Sequence, residues 1–197
     1  MGFRALRVIN EDRITPGAGF PAHSHEDMEI ITYVLDGALA HKDSTGGSGV
    51  VTPGMVQYMS AGSGVVHSEF NASDEELLHL YQIWLLPNVK GAPPCYEERK
   101  IGDARNGALK LIASPDGRDG SFAIRQDASL YASVVKEGET LTHRFGPDRY
   151  GWLQVAKGGV EIGGLTMQPG DGARIRDETE ISFTALADSE ILLFDLP

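Results

Sequence analysis

Strand-forming runs separated by turn residues dominate this chain. Glu29-Ile30-Ile31-Thr32-Tyr33-Val34-Leu35 is β-branched and aromatic, and it ends at Asp36-Gly37, a tight-turn pair. Ala38 to His41 starts the return strand, and Asp43 to Gly49 is a Gly/Ser-rich loop. Thr52-Pro53-Gly54 predicts a second turn, followed by a strand from Met55 to Met59. Ala61-Gly62-Ser63-Gly64 is a bend just before His67. Leu77 to Leu86 is apolar on both faces apart from His79 and Gln82, the pattern of a buried strand. Pro87 through Arg99 holds Pro-Pro and several charges and reads as a linker. The expected organisation is therefore one unit over 1–90, a linker over 91–106 and a second unit over 107–197. A short helix is expected at most around 103–108 or in the linker.

The second half repeats the first in outline. Val34-Leu35-Asp36-Gly37-Ala38-Leu39 resembles Val155-Ala156-Lys157-Gly158-Gly159-Val160, and Thr52-Pro53-Gly54-Met55 resembles Gln168-Pro169-Gly170-Asp171. This spacing suggests a duplicated β unit with different loop lengths. An all-β chain of 197 residues, with Gly 24 and Pro 10, is long enough for two small domains.

Charge narrows the partners. Asp+Glu 28 against Lys+Arg 17 gives a net charge of -11, which repels phosphate backbones, so direct nucleic-acid binding is not expected. Cys95 is the single cysteine, so no intrachain disulfide can form. No apolar leader and no long apolar run is present, which makes the cytoplasm the expectation and a membrane role not.

The candidate chemistry lies in two short pairs. His23-Ser24-His25 and His67-Ser68-Glu69 each place two ligand-type side chains at i and i+2, on one face of a strand. Facing one another, they set three imidazoles and a carboxylate around a point, a donor set for a divalent first-row metal with open positions. A closed structural zinc site would be richer in cysteine. Spacing alone does not settle the carboxylate. Glu69 follows His67 by two residues, Glu29 follows His25 by four, and Glu26 and Asp27 lie close by. Glu29 is thus an alternative ligand or a partner that fixes a histidine tautomer.

Duller readings hold elsewhere. His41 and His79 are read as structural or exposed, His143 as a relic and Cys95 as structural. Gly17, Gly19, Gly62 and Gly64 lack the Lys-Ser/Thr of a phosphate loop and read as bends that let the ligand strands approach. Met28, Tyr33, Tyr58, Met59 and Phe70 are candidate pocket walls, with ordinary core as the larger share. In the second half, the place of His23 and His25 falls near Thr142-His143-Arg144-Phe145. The place of His67 falls near Ile181-Ser182-Phe183, which holds no histidine.

These residues resemble a known family. Gly17-Ala-Gly-Phe-Pro-Ala-His23-Ser-His25 followed by Gly37 is similar to the first cupin motif, and Gly64-Val-Val-His67-Ser-Glu-Phe-Asn71 to the second. Within the cupins the resemblance is to the pirins. It is carried by His23 to Ile30, by Val34 to Ser44 and by Met59 to Glu69. The resemblance implies a bicupin of two tandem, jelly-roll-like β-barrels, with a metal in the N-terminal barrel only. It puts the ligands at His23, His25, His67 and Glu69, with Glu69 also the catalytic base. In the usual cupin pattern a later glutamate binds, and Ile30 takes that position here, with Glu29 one residue off. Pirins usually carry further residues ahead of Met1-Gly2-Phe3, so an exposed edge strand is expected.

The implied cofactor is one divalent transition ion, iron(II) first, with nickel, copper, manganese, cobalt or zinc as others. The implied activity is that of a quercetin 2,3-dioxygenase. A flavonol-like aromatic substrate and dioxygen would yield a depside and carbon monoxide. The alternative is a non-enzymatic, metal- or redox-dependent regulatory protein that binds a protein partner, for which the acidic surface suits a basic one. A cupin acting on a sugar or other small molecule is a third reading, because the fold alone does not choose among chemistries.

Overall fold

The computed structural model describes residues 2–197 of the chain. The backbone forms nineteen strands and two short 3-10 turns among the described residues. It divides into two compact units, residues 1–102 with 124–126, and residues 103–123 with 127–197.

The first unit contains β1 (Leu6–Ile14), β2 (Gly19–His25), β3 (Glu29–Asp36), β4 (Leu39–Asp43), β5 (Ser48–Val51), β6 (Met55–Ser60), β7 (Val65–Asn71), β8 (Leu78–Leu85) and β9 (Cys95–Lys100). They form a five-stranded sheet, β1-β8-β3-β6-β9, and a four-stranded sheet, β2-β7-β4-β5. Alternate residues of both sheets meet in the interior. One cluster gathers Ile14, Val34, Leu39, Val51, Leu78 and Leu80 with Phe20 and Met55. Another gathers Ile30, Met59, Ala61 and Val65 with Met28, Trp84 and Tyr96.

The second unit contains β10 (Lys110–Ser114), β11 (Phe122–Ala123), β12 (Ser129–Val135), β13 (Thr140–Arg144), β14 (Tyr150–Lys157), β15 (Val160–Ile162), β16 (Leu165–Met167), β17 (Gly172–Ile175), β18 (Glu180–Ala185) and β19 (Ser189–Leu196). Its sheets run β11-β10-β12-β19-β14-β17 and β13-β18-β15-β16. The order β12-β19-β14-β17 matches β1-β8-β3-β6, and β13-β18-β15-β16 matches β2-β7-β4-β5. The duplication suggested by the turn sequences is therefore real in the topology. Gly37 and Gly158 make the same turn, at φ +79 and +76. A Cβ there would lie 2.6 Å from the Leu77 carbonyl oxygen or 2.5 Å from that of Asp188, so only glycine fits.

The stretch expected as a linker is partly sheet. Cys95–Lys100 pairs antiparallel with β6 as the edge of the five-stranded sheet, and the units divide after Gly102. Charges and the Pro-Pro pair masked this strand, since an edge strand tolerates both. A short 3-10 turn at Gly102–Arg105 is where the helical segment was expected. The residues 124–126 belong to the first unit. Arg125 reaches the Pro93 carbonyl oxygen at 2.9 Å, and its backbone N–H donates to Glu29 Oε2 at 2.9 Å.

Candidate metal centre

The site forms where β2 and β7 lie side by side. His23 pairs with His67 in register, and His25 with Val65. A bulge between Phe20 and His23 shifts the alternation, so that Phe20 packs into the core while His23 and His25 also turn inward. Pro21 sits in that bulge, where its missing N–H is tolerated, and its carbonyl oxygen lies 2.8 Å from His23 Nδ1. Gly19 lets the strands close up, because a Cβ there would lie 2.3 Å from the Glu69 carbonyl oxygen.

Ring centroids of His23, His25 and His67 are 4.4 to 5.0 Å apart. A ring nitrogen from each comes within 4.8 Å of the others. A second group of three, His41, His67 and Glu69, satisfies the same distance and shares His67. The strand-parity expectation for His23, His25, His67 and Glu69 thus becomes two overlapping triads. His41 is the member that sequence reasoning set aside.

The electrostatics suit a cation. His67 is 1% exposed, and neither of its ring nitrogens has a hydrogen-bond partner, nor does Nε2 of His25. Burial pushes the His67 imidazole down to about 4, and burial with the neighbouring His23 lowers His25. Both rings are therefore neutral with lone pairs available. Leaving a buried polar group unpaired costs about 1–3 kcal/mol, so His67 is a poor choice for packing and a good one for ligation. Burial alone would raise the Glu69 carboxyl. The imidazoles of His41 and His67 and the Gln57 amide outweigh it and hold the group ionised, below the usual range. Neutral imidazoles beside a fixed carboxylate fit a divalent transition ion.

Glu69 is held on both oxygens. Gln57 Nε2 donates to Oε1 at 2.8 Å and Gln82 Nε2 donates to Oε2 at 2.6 Å. His41 Nδ1 stands 3.7 Å from Oε1, an ion-pair distance rather than a hydrogen bond, while its Nε2 lies 3.1 Å from Asp43 Oδ2. Tyr96 stacks flat on the His41 ring, with centroids 4.3 Å apart and planes 13° off parallel. Burial opposes charge on His41, but Glu69 and Asp43 on either side raise its imidazole above the ordinary value.

Glu29 is not part of this arrangement. It begins β3, not β2, so the parity that linked it to His25 fails at the bend between those strands. Its carboxylate accepts instead from the hydroxyls of Tyr58 and Ser60 and from the Arg125 N–H. Of the proposed pocket walls, Tyr33, Tyr58 and Met59 are buried core, Met28 is partly buried, and Phe70 is exposed. Trp84 was missed, yet its indole meets the His25 ring edge-on at 5.0 Å. A shallow opening of about 370 Å³ lies outside His25, lined by Ser24, Glu26, Ser44, Gly64, Val65 and Val66. Readable signals for the missed residues existed. His41-Lys42-Asp43 is itself an i, i+2 pair, and Gln82 is, with His79, one of two polar interruptions of an apolar strand. His79 does prove structural, 2.8 Å from Glu11 Oε1.

Residues 1–85 match the family model described as Pirin, and residues 111–196 match that of the quercetinase C-terminal cupin domain. The chain is 50% identical over 197 residues to a protein of Escherichia coli K12 named quercetin 2,3-dioxygenase, covering all of this chain and 84% of that one. It is 44% identical over 198 residues to a pirin-like protein of Caulobacter vibrioides, covering 99% and 84%. A crystal structure of the bacterial pirin YhhW from Escherichia coli in complex with nickel(II) superposes with TM-score 0.94 at 48% identity, covering 100% of this chain and 84% of that one. With both barrels matched and the two-barrel fold shared, the chain belongs to the pirin family of cupin proteins.

Proposed function

We propose that the protein is a metal-dependent dioxygenase of the quercetin 2,3-dioxygenase type. The observation that carries this reading is the convergence of three imidazoles, two of them with unpartnered ring nitrogens, beside a buried, ionised carboxylate. His23, His25, His67 and Glu69 would hold one divalent transition ion. The nickel(II) complex of the similar bacterial pirin supports such an ion, and iron(II) remains an equal reading of the donor set. When bound, the ion supplies Lewis-acid polarisation of the substrate hydroxyl and a common seat that orients flavonol and dioxygen.

The chain's own residues then do the following. His25 and His67 stay neutral and aim lone pairs at the cluster. Glu69, ionised and fixed, is the acceptor for the proton of a flavonol hydroxyl. His23 and His25 are only partly buried and form the accessible side of the cluster, from which a flat substrate would approach, while His67 and Glu69, each 1% exposed, are its buried side.

The test is aerobic consumption of quercetin, with carbon monoxide detection, by protein loaded with nickel(II) or iron(II). Wild type is expected to hold about one ion per chain and to consume the flavonol. His23→Ala/His67→Ala is expected to hold none and do nothing. Full turnover and full metal occupancy in Glu69→Gln would refute the role of Glu69. Metal binding without any flavonol consumption would refute the activity.

A further inference from the structure

A row of polar side chains crosses the first barrel at one register. Gln57 on β6 pairs with Thr32 on β3, which pairs with Gln82 on β8, which pairs with Asn10 on β1. Gln57 and Thr32 are 0% exposed and Gln82 is 7% exposed. This row lies between two apolar clusters of that barrel, residues of one cluster occupying positions 30 and 59 and of the other positions 34 and 80. A buried polar layer weakens a core unless every member is satisfied. Here the satisfaction runs toward one acceptor, Glu69.

The direction of the hydrogen bonds is fixed by chemistry. An indole N–H can only donate. Trp84 Nε1 lies 3.2 Å from the Gln82 side chain, so the carbonyl end of that amide must face Trp84. Its NH₂ end is thereby turned to Glu69 Oε2 at 2.6 Å. On the other side, the Gln57 NH₂ meets Glu69 Oε1 at 2.8 Å, and the Tyr96 hydroxyl, which also hydrogen-bonds Glu98, lies 3.2 Å from Gln57 Oε1. Each oxygen of Glu69 thus receives an amide donor, and the orientation of the Gln82 amide is set from behind by the indole.

The second barrel supplies an internal control. Counting from the matched turns at Gly37 and Gly158 and at Gly54 and Gly170, the row Gln57-Thr32-Gln82 corresponds to Ala173-Leu153-Leu193, which are likewise paired across their sheet. The place of Glu69, opposite Phe20 and His41, is taken by Phe183, opposite Leu141 and Ile162. Where the carboxylate is absent, the amides are absent too.

We infer that Gln82, anchored by Trp84, and Gln57 are positioning residues that hold Glu69 as a fixed, acceptor-only ligand for the metal. The inference rests on the reading of Glu69 as a ligand. Its effect should appear in metal affinity and ligand-field geometry, since partners that orient a ligand typically change affinity about 10–100-fold.

The test uses cobalt(II) alone, titrated into apo protein and followed by its visible d–d absorption, with apo melting temperature recorded alongside. Gln82→Met keeps the volume and removes the donor. Trp84→Phe removes the indole N–H and keeps an aromatic ring beside His25, at a half-buried site, and tests the same arm should Gln82→Met fail to fold. Each is expected to weaken cobalt(II) about 10–100-fold and to shift the absorption bands. In a Glu69→Gln background, either change should have less than about a twofold further effect, because it acts through Glu69. Equal losses in both backgrounds overturn the inference, as does unchanged affinity in both variants while Glu69→Gln weakens binding. Unchanged affinity in Glu69→Gln itself overturns the ligand reading underneath.

Discussion

The two barrels share strand order and turn positions but differ in what crosses their interiors. In the second, Leu153, Leu193, Phe183 and Ile181 join with Val155, Phe145 and others in a single apolar cluster. In the first, the corresponding positions hold Thr32, Gln82, Glu69 and His67, and the apolar residues on either side fall into separate clusters. The second barrel shows this topology with apolar side chains packed at those positions. The first gives up the middle of its core to polar groups, two nitrogens of His67 among them having no protein partner. The difference identifies the residues whose presence packing does not explain.

The most severe way to break the comparison is to put the carboxylate into the wrong barrel. Phe183→Glu would place a charge in a cluster with no amide donors at the matching positions. An uncompensated buried charge costs about 3–5 kcal/mol, so the second barrel should unfold at markedly lower urea. Adding Leu193→Gln, the counterpart of Gln82, should make the double variant less unstable than the sum of the single changes. Strict additivity in urea titrations would show that the polar row is not what makes Glu69 tolerable.

A smaller effect is expected on adding metal. An ion that binds only the folded state at 100 times its Kd stabilises by about 2.7 kcal/mol. Wild type should gain about that much in thermal melts with nickel(II), and His23→Ala/His67→Ala should gain nothing. An equal gain in both would place the binding elsewhere, for instance on the acidic surface.

Much of this was legible in the sequence. The His-x-His and His-x-Glu pairs needed only strand parity to predict a shared face, and Gly37 with Gly158 marked the duplication. Parity failed where strands ended. Glu29 looked in phase with His25, but a bend separates them and the count restarts. The bulge at Pro21 was equally invisible, although without it Phe20 and His23 could not both face inward. The positioning groups were hidden for another reason. His41, Gln57 and Gln82 are chemically ordinary, and only cross-strand register, a long-range property, brings them to Glu69. Strand β9 was read as a linker because an edge strand need not look like a buried one.

His143 offers the finest comparison, because it holds the position that matches His23, paired with Ile181 as His23 is with His67. It has been drawn into a structural contact. Its Nε2 lies 3.0 Å from Asp195 Oδ2, and Arg149 Nε donates to Asp195 Oδ1 at 2.6 Å. Burial alone would raise the Asp195 carboxyl, but His143 and Arg149 prevail and hold it below the ordinary value. A carboxylate with a depressed folded-state pKa stabilises above its unfolded pKa, and this contribution is lost as pH falls through about 4 and below. Asp195→Asn keeps an acceptor and loses the charge, so it should cost about 1 kcal/mol at pH 7. The gap between the two proteins should close as the pH is lowered from 5 toward 3. Stability curves that stay parallel across that range would mean the charge of Asp195 contributes nothing. Curves that converge would show that the charge of Asp195, shared between Arg149 and His143, supports the second barrel, where the buried imidazole has a carboxylate partner that His67 of the first barrel lacks.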